Sequence, residues 1–381
     1  MKPVARLALL ALGLLASACG DSQEPQNAPS ASELDASSEF DADNEPAEPV
    51  DENPDDEIPD AGEESDADQE DAPVNEPPPT LIRFIAIGDQ GEGNEAQYKV
   101  AEQMKKKCDQ DGCDFVLLLG DNIYDEGVTS IDDPQWQTKF ELPYAELDMP
   151  FYAVLGNHDY GGVDLIKGQG GIGAQWNRGP LEVEYTKVSK KWKMPATHYT
   201  LKFGGVCFMM LDTNSIFWNN IVYGDQRAWY GPALAAMQPC DWVFVAGHHC
   251  YKSNGKHGNA GAYEGIDTSL IGFLGDLGFF DGRHIKRFFE EIVKDSADVI
   301  LAGHDHNRQW LHPEAKLGNA EIIVSGAGSK TTENKKRGNP TYFENFDTPG
   351  FLWIKLEGKT MTGQFYDMHG NLEFERVVTK P

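Results

Sequence analysis

Five times along the chain, a short apolar run ends at a glycine that is followed by polar residues able to bind a metal ion. The runs are residues 82–87, 115–119, 151–155, 242–246 and 299–302. Each is rich in β-branched and aromatic residues and is bounded by glycine, which is typical of a buried strand. Glycine permits a tight exit from the strand and a close approach of other backbone. The sequence therefore predicts a sheet whose strands end in functional side chains.

Helical patterns separate some of these strands. Asn94 is suited to cap a helix running to about Lys107. An apolar stripe at i, i+3, i+4 and i+7 that starts at Ile285 predicts a second helix over residues 284–294. From residue 350 onward the pattern alternates, which predicts antiparallel hairpins that close the sheet. Strands that alternate with helices predict an α/β fold, in which ligand groups collect beyond the carboxyl ends of the strands.

The polar residues at these strand ends form a set with metal-ligand chemistry. The set comprises Asp89, Asp121, Asn157, His248, His304 and His306, with Tyr124 three residues after Asp121 on the same turn. Mixed oxygen and nitrogen ligands in this number exceed the needs of one ion and suit two transition metals bridged by a shared carboxylate. Such a pair binds a phosphate ester, lowers the pKa of a water and stabilises an in-line displacement.

Each motif alone has a structural alternative. A Gly-Asp pair after a strand is also typical of a turn or a helix cap, and the sequence Asn157-His158-Asp159 is compatible with an ordinary turn. The run from Gly303 to His306 is more specific, because two histidines around one residue can chelate a metal. The five motifs in this order favour a metal site over a set of unrelated turns.

The ordered motifs resemble those of the metallophosphoesterase superfamily. They read Gly-Asp-x-Gly, Gly-Asp-x-x-Tyr, Gly-Asn-His-Asp, Gly-His and Gly-His-x-His. A tyrosine at the position of Tyr124 resembles the purple acid phosphatases, and the sequence is most similar to their short, single-domain, tartrate-resistant type. The resemblance implies a four-layer α/β/β/α sandwich with mixed sheets, forming a single catalytic domain over residues 81–381.

The resemblance also implies a role for each ligand. A ferric ion would be held by Asp89, Tyr124 and His306, a divalent iron, zinc or manganese ion by Asn157, His248 and His304, and Asp121 would bridge the two. His158 and His257 match outer histidines that contact phosphate and donate a proton to the leaving group.

The implied function is hydrolysis of small phosphomonoesters by in-line attack of a metal-bound hydroxide, with histidine-assisted protonation of the leaving group. Two alternatives stay open. A phosphodiesterase or nucleotide pyrophosphatase would use the same metal centre, and a non-catalytic surface binding protein would keep the fold alone.

Charge is distributed very unevenly along the chain. The formal net charge of −30 divides into +2 for residues 1–20, −22 for residues 21–80 and −10 for residues 81–381. A nucleic-acid partner held by the overall field of the protein is excluded, because a phosphate backbone needs a basic surface.

The first 80 residues predict export rather than a folded domain. Lys2 and Arg6 precede a short apolar core, and small residues then lead to Cys19, so residues 1–18 are typical of a signal peptide. The core is too short to span about 30 Å of hydrocarbon. Cleavage at Ala-x-Ala would secrete the protein, whereas cleavage before an acylated Cys19 would anchor it at the bacterial cell envelope. Residues 19–80 are acidic and proline-rich, which predicts a disordered tether.

The cysteines give two further predictions. Cys108 and Cys113 enclose a short polar loop and can be bridged in an oxidising compartment. Cys207 lies within an apolar run, which predicts a buried thiol.

Overall fold

A computed structural model describes residues 81–162, 170–219, 225–261, 282–315 and 317–381. The predicted signal peptide, the lipid site at Cys19 and the tether lie outside the described residues. Within the described ranges, no helix is long and apolar enough to cross a bilayer.

Two mixed sheets of seven strands each dominate the described part of the chain. In chain order the strands are β1 (Leu81–Ile87), β2 (Phe115–Leu119), β3 (Phe151–Val154), β4 (Trp192–Lys193), β5 (Tyr199–Phe203), β6 (Val206–Met210), β7 (Trp242–Gly247), β8 (Val299–Ala302), β9 (Arg308–Leu311), β10 (Glu321–Ser325), β11 (Thr341–Asn345), β12 (Gly350–Glu357), β13 (Thr360–Asp367) and β14 (Leu372–Thr379). The first sheet has the order β14-β13-β12-β1-β2-β3-β4, and the second has the order β11-β9-β10-β8-β7-β6-β5.

Parallel strands form the centre of each sheet, and antiparallel strands complete it. The strands from β1 to β4 pair in parallel, while β12, β13 and β14 add antiparallel hairpins beside β1. In the second sheet, β6, β7, β8 and β10 are parallel. The antiparallel pairing of β12, β13 and β14 confirms the predicted C-terminal hairpins.

The two sheets pack face to face through aromatic side chains. The Phe84 ring of β1 lies 5.5 Å from the Phe208 ring of β6 and 5.6 Å from the Phe244 ring of β7, both edge to face. All three side chains are fully buried, and burying one phenylalanine contributes about 1.5–3 kcal/mol. This interior layer fixes the two sheets against each other.

Helices cover the outer faces. They are α1 (Glu95–Asp111), α2 (Gly179–Tyr185), α3 (Thr213–Phe217), α4 (Gln226–Met237) and α5 (Gly282–Phe288). α1 packs against β12 of the first sheet, and α4 packs against β6 of the second. The order of layers is helix, sheet, sheet, helix, which confirms the predicted α/β sandwich.

Both predicted helices form, with different ends. The Asn94 side chain caps α1 by accepting a hydrogen bond from the Gln97 N–H at 2.9 Å. α1 runs four residues beyond Lys107, to Asp111, and stops at Gly112 with φ of 82°. The second predicted helix is divided: α5 ends at Phe288, and a wider π-type turn follows over Phe289–Val293.

The cysteine predictions have different outcomes. Cys108 and Cys113 form a disulfide, as predicted. The prediction of a buried Cys207 thiol is wrong, because Cys207 is bridged to Cys240. Val206 pairs with Trp242 across the parallel strands β6 and β7, so the residues just before β7 lie beside the start of β6. Cys250 is buried, and its thiol donates to the Gly303 carbonyl oxygen at 2.9 Å.

Candidate metal centre

Strand ends from both sheets meet at one edge of the sandwich. Asp89 follows β1, Asp121 follows β2 and Asn157 follows β3, all in the first sheet. His248 directly follows β7, and His304 lies two residues beyond β8, both in the second sheet. Because β1, β2 and β3 run in parallel, as do β7 and β8, their carboxyl ends lie at common edges and direct these residues toward one place.

Three of these residues have a left-handed backbone. The φ angle is 58° at Asp89, 53° at Asp121 and 69° at His304. In the described ranges, Asn219 and Lys336 are the other non-glycine residues with positive φ. This conformation costs a residue with a Cβ roughly 1–2 kcal/mol. Strain of this kind persists where surrounding structure imposes it, and it concentrates at functional sites.

The motif glycines are required by carboxylates from other strand ends. A Cβ on Gly156 would lie 2.2 Å from Asp121 Oδ1, and a Cβ on Gly303 would lie 2.6 Å from Asp89 Oδ2. Both distances are far shorter than a carbon–oxygen contact allows. Glycine therefore precedes Asn157 and His304 because a carboxylate from the other motifs occupies the adjoining space.

Tyr124 lies at the centre of the first group of side chains. Its Oη is 2.8 Å from Asp121 Oδ2, 3.0 Å from Asp89 Oδ1 and 3.1 Å from His306 Nε2. The phenol has a single proton, so it can donate to one carboxylate but not to both. Burial, reinforced by Asp121 and Asp89, holds the pKa of the Tyr124 phenol well above its usual range.

His248 lies at the centre of the second group. Its Nε2 is 3.0 Å from Asn157 Oδ1, 3.1 Å from His304 Nδ1 and 3.3 Å from Asp121 Oδ1. Its other nitrogen, Nδ1, is 2.9 Å from the carbonyl oxygen of Leu119. A carbonyl only accepts, so Nδ1 carries a proton, and Nε2 is the nitrogen that faces the cluster. This backbone contact is the usual means of orienting a metal-binding imidazole.

The electrostatics of the cluster favour a cation. Burial alone would raise the pKa of Asp121, but His248 and His158 outweigh it and hold that pKa well below its usual range. Burial lowers the pKa of His248, yet the Asp121 and Asp89 carboxylates raise it to about 10. Two buried carboxylates thus create a strongly negative potential.

The residues therefore fit a metal centre. Potential ligand atoms of Asp89, Asp121 and His248 lie within 4.8 Å of one another, and all three residues are buried. Carboxylate, phenol and imidazole groups converge here within hydrogen-bond distance of one another. Such oxygen and imidazole donors suit first-row transition metals.

The two predicted catalytic histidines border this cluster. His158 Nδ1 is 2.6 Å from the Asp125 carbonyl oxygen, and the His158 ring centroid is 4.5 Å from that of Tyr124. The His257 ring centroid is 4.1 Å from that of His304. Both side chains are half-buried, which leaves each in partial contact with solvent beside the cluster.

Two aspartates inside the motifs brace the loops that carry these residues. Asp159 accepts hydrogen bonds from the backbone N–H groups of Asn122 at 2.8 Å and Gly156 at 2.8 Å. Asp305 accepts from the N–H groups of His257 at 2.8 Å and Gly258 at 3.0 Å. Buried carboxylates therefore connect the β2 and β3 loops, and the β7 and β8 loops, to each other.

Sequence reasoning missed three supporting residues. Asn122 donates from Nδ2 to Asp159 Oδ2 at 3.0 Å and to Glu182 Oε2 at 3.2 Å. The Lys330 ammonium lies 3.3 Å from the centre of the Tyr124 ring. Asn122 was detectable, since it adjoins Asp121 in a motif. Glu182 and Lys330 carry no local signal, because tertiary packing alone brings them to the site.

Comparison with known proteins agrees with this geometry. Residues 82–308 match the family model described as Calcineurin-like phosphoesterase, so the chain belongs to that family. It is 27% identical over 340 residues to tartrate-resistant acid phosphatase type 5 of Sus scrofa, covering 80% of this chain and 88% of the relative. It is 26% identical over 315 residues to purple acid phosphatase 4 of Arabidopsis thaliana, covering 77% of this chain and 82% of the relative.

Solved structures with low identity share the fold. A purple acid phosphatase from yellow lupin seeds has a TM-score of 0.54 at 16% identity, over 79% of this chain and 54% of that one. The Plasmodium protein described as GAP50, the anchor in the inner membrane complex, has a TM-score of 0.57 at 20% identity, over 79% of this chain and 89% of that one.

The predicted family and enzyme class are confirmed at this level. The domain is a phosphoesterase, and sequence relatives are named acid phosphatases, which supports a phosphoric monoester hydrolase.

Proposed function

We propose that the protein is a dinuclear-metal acid phosphatase that hydrolyses small phosphomonoesters. One observation carries this proposal: Asp121 joins two groups of ligand side chains. Its Oδ2 lies 2.8 Å from Tyr124 Oη, and its Oδ1 lies 3.3 Å from His248 Nε2. A carboxylate with one oxygen in each group is suited to bridge two cations.

Each group of side chains would hold one metal. Asp89, Tyr124 and His306 would bind a ferric ion, and Asn157, His248 and His304 would bind a divalent iron, zinc or manganese ion. The phenol favours iron for the first position, because a ferric ion has the charge needed to displace the phenol proton in spite of the raised pKa. When bound, the two ions supply a nucleophile at moderate pH and neutralise charge on the phosphate.

The residues of the chain orient the substrate and move protons. His158 Nδ1 donates to the Asp125 carbonyl, so Nε2 is the nitrogen left to reach phosphate or the leaving oxygen. The His158 backbone N–H donates to Asp121 Oδ1 at 2.9 Å, which couples the position of this histidine to the bridging carboxylate. His257 reaches the site from the opposite sheet, where Asp305 holds its backbone. Imidazole is the side chain suited to give a proton to a departing alkoxide.

The same proposal includes export. Residues 1–18 would be removed as a signal peptide, residues 19–80 would form an acidic tether, and Cys19 would carry a lipid at the bacterial envelope. Two disulfides in the catalytic domain, Cys108–Cys113 and Cys207–Cys240, support this assignment because such bonds persist in oxidising compartments.

A substrate comparison tests the proposal. The metal-loaded protein is assayed between pH 4 and 8 on p-nitrophenyl phosphate, bis-p-nitrophenyl phosphate and an alkyl phosphate monoester. We expect faster hydrolysis of the monoesters. A preference for the diester would favour the phosphodiesterase alternative, and no hydrolysis of any substrate with both metals bound would support a non-catalytic protein.

A histidine variant tests the proton donor. His158→Ala is expected to lose roughly 100-fold in kcat on the alkyl phosphate, the size of a general-acid contribution. It should lose less on p-nitrophenyl phosphate, because p-nitrophenolate leaves without a proton. His369→Ala is the matched control, since His369 is exposed and belongs to none of the motifs. Equal losses on both substrates would contradict the assigned role.

A further inference from the structure

A lysine ammonium lies directly against the tyrosine of the metal centre. The Nζ of Lys330 is 3.3 Å from the centroid of the Tyr124 ring, well within the range of a cation–π contact. The same ammonium is paired with Glu92 Oε1, and the Lys330 side chain is 30% exposed. Tyr124 itself is buried, and the Lys330 ammonium lies over its ring.

The fold fastens the segment before Lys330 to the loop that carries Asp89. The Gly88 N–H donates to the Ser325 carbonyl at 2.7 Å, and the Gly328 N–H donates to the Gly88 carbonyl at 3.0 Å. The Ser329 hydroxyl donates to the Asp89 carbonyl at 2.7 Å. These contacts fix the backbone on the N-terminal side of Lys330. The segment that follows β10 therefore holds Lys330 beside the Tyr124 ring.

A second lysine near the tyrosine is placed differently. Lys139 Nζ donates to the backbone carbonyl of Tyr124 and, at 2.9 Å, to Gln135 Oε1. The Lys139 ammonium is therefore engaged by the backbone, whereas the Lys330 ammonium lies over the ring while it is paired with Glu92. Lys330 makes no hydrogen bond to the phenol oxygen, so it does not compete with metal binding there.

We propose that Lys330 tunes the electronic state of a Tyr124-bound ferric ion through the aromatic ring, an inference that rests on the proposed ferric site. A positive charge over a phenolate stabilises the electrons of the ring. A phenolate-to-iron charge-transfer transition moves electron density away from Lys330, so the ammonium raises its energy. The same charge favours the gain of one electron by the ferric ion, so it raises the reduction potential.

Spectroscopy on four proteins tests this role: the wild type, Lys330→Gln, Lys330→Arg and Lys99→Gln. Lys99 is the matched control, because it forms an exposed lysine–glutamate pair with Glu95 on α1. We expect Lys330→Gln to move the visible band by roughly 10–30 nm to longer wavelength, from the loss of one charge beside the ring. Lys330→Arg and Lys99→Gln should keep the wild-type band. In a dithionite titration that delivers one electron to the ferric ion, Lys330→Gln should be reduced at a lower potential.

The outcomes separate this inference from the proposed function. A wild-type protein that binds iron without a visible band would contradict ligation by Tyr124 and thus the ferric site itself. A wild-type band that is unchanged in Lys330→Gln would overturn the tuning role alone. Loss of iron in Lys330→Gln would assign Lys330 a structural role and would also overturn the inference.

Discussion

Adding one methyl group at Gly156 should displace the Asp121 carboxylate, which we propose as the bridge between two metal ions. The new Cβ of Gly156→Ala would lie 2.2 Å from Asp121 Oδ1 and 2.4 Å from the Asp121 backbone nitrogen. Carbon needs more than about 3 Å from either atom, so Asp121 must move by roughly 1 Å. Gly156 is not among the glycines with positive φ, so the effect is steric and does not arise from backbone strain.

The expected result follows from this displacement. A misplacement of about 1 Å can cost roughly 100-fold in rate. Gly156→Ala should therefore lower kcat/KM for p-nitrophenyl phosphate by about 100-fold and reduce the metal content. Overpacking should also lower the free energy of unfolding by about 1–3 kcal/mol.

The same substitution at Gly231 is the matched control. Nothing lies within 4 Å of a Cβ at Gly231, which is inside α4. Gly231→Ala should keep full activity and gain about 0.5–1 kcal/mol of stability from its helical position. Full activity and full metal content in Gly156→Ala would refute the argument that Asp121 must occupy this position.

Two further predictions concern stability. Replacing both Cys207 and Cys240 by serine should lower the free energy of unfolding by about 3–4 kcal/mol, because the bridge closes a loop across 33 positions; an unchanged denaturant midpoint would contradict this. Burial raises the pKa of Asp212 to about 6, so the folded protein favours the neutral carboxyl. The stability that this preference contributes is fully present below about pH 4 and is lost as the pH rises to about 6. Asp212→Asn cannot ionise, so its stability relative to the wild type should improve by roughly 3 kcal/mol between pH 4 and pH 7, and a pH-independent difference in denaturation midpoints would refute the assignment.

The strand-end motifs could be predicted because local sequence defines them. A buried strand, a glycine and a ligand residue are contiguous, and the common direction of parallel strands brings their ends together. The convergence of Asp89, Asp121 and His248 follows from this rule. The division of the side chains into two groups around Asp121 could be predicted only from the resemblance to a family, because motif spacing alone does not indicate which residues share a metal.

Residues brought in by tertiary packing could not be predicted. Glu182 contacts Asn122 from 60 residues away, and Lys330 reaches Tyr124 from the end of β10. Neither position differs locally from an ordinary surface glutamate or lysine. The Cys207–Cys240 bridge was missed for the same reason, since it depends on the parallel pairing of β6 with β7.

Short strands and helix ends could not be predicted from the sequence either. β4 has only two residues, and β9 and β11 lack a clear alternating apolar pattern. Their pairing is decided by neighbouring strands rather than by their own propensity. α1 extended past Lys107 because Gly112, not the last basic residues, supplies the positive φ that ends it.

Metal content distinguishes a dinuclear centre from a mononuclear one. We expect two metal ions per chain in the wild type, one of them iron, and a marked loss of metal in Asp121→Asn, because Asp121 contacts both groups of side chains. Elemental analysis of the purified proteins, with Lys99→Gln as a control, gives both numbers. A wild-type protein that saturates with one ion per chain, or an Asp121→Asn variant that keeps two, would contradict a dinuclear centre bridged by Asp121.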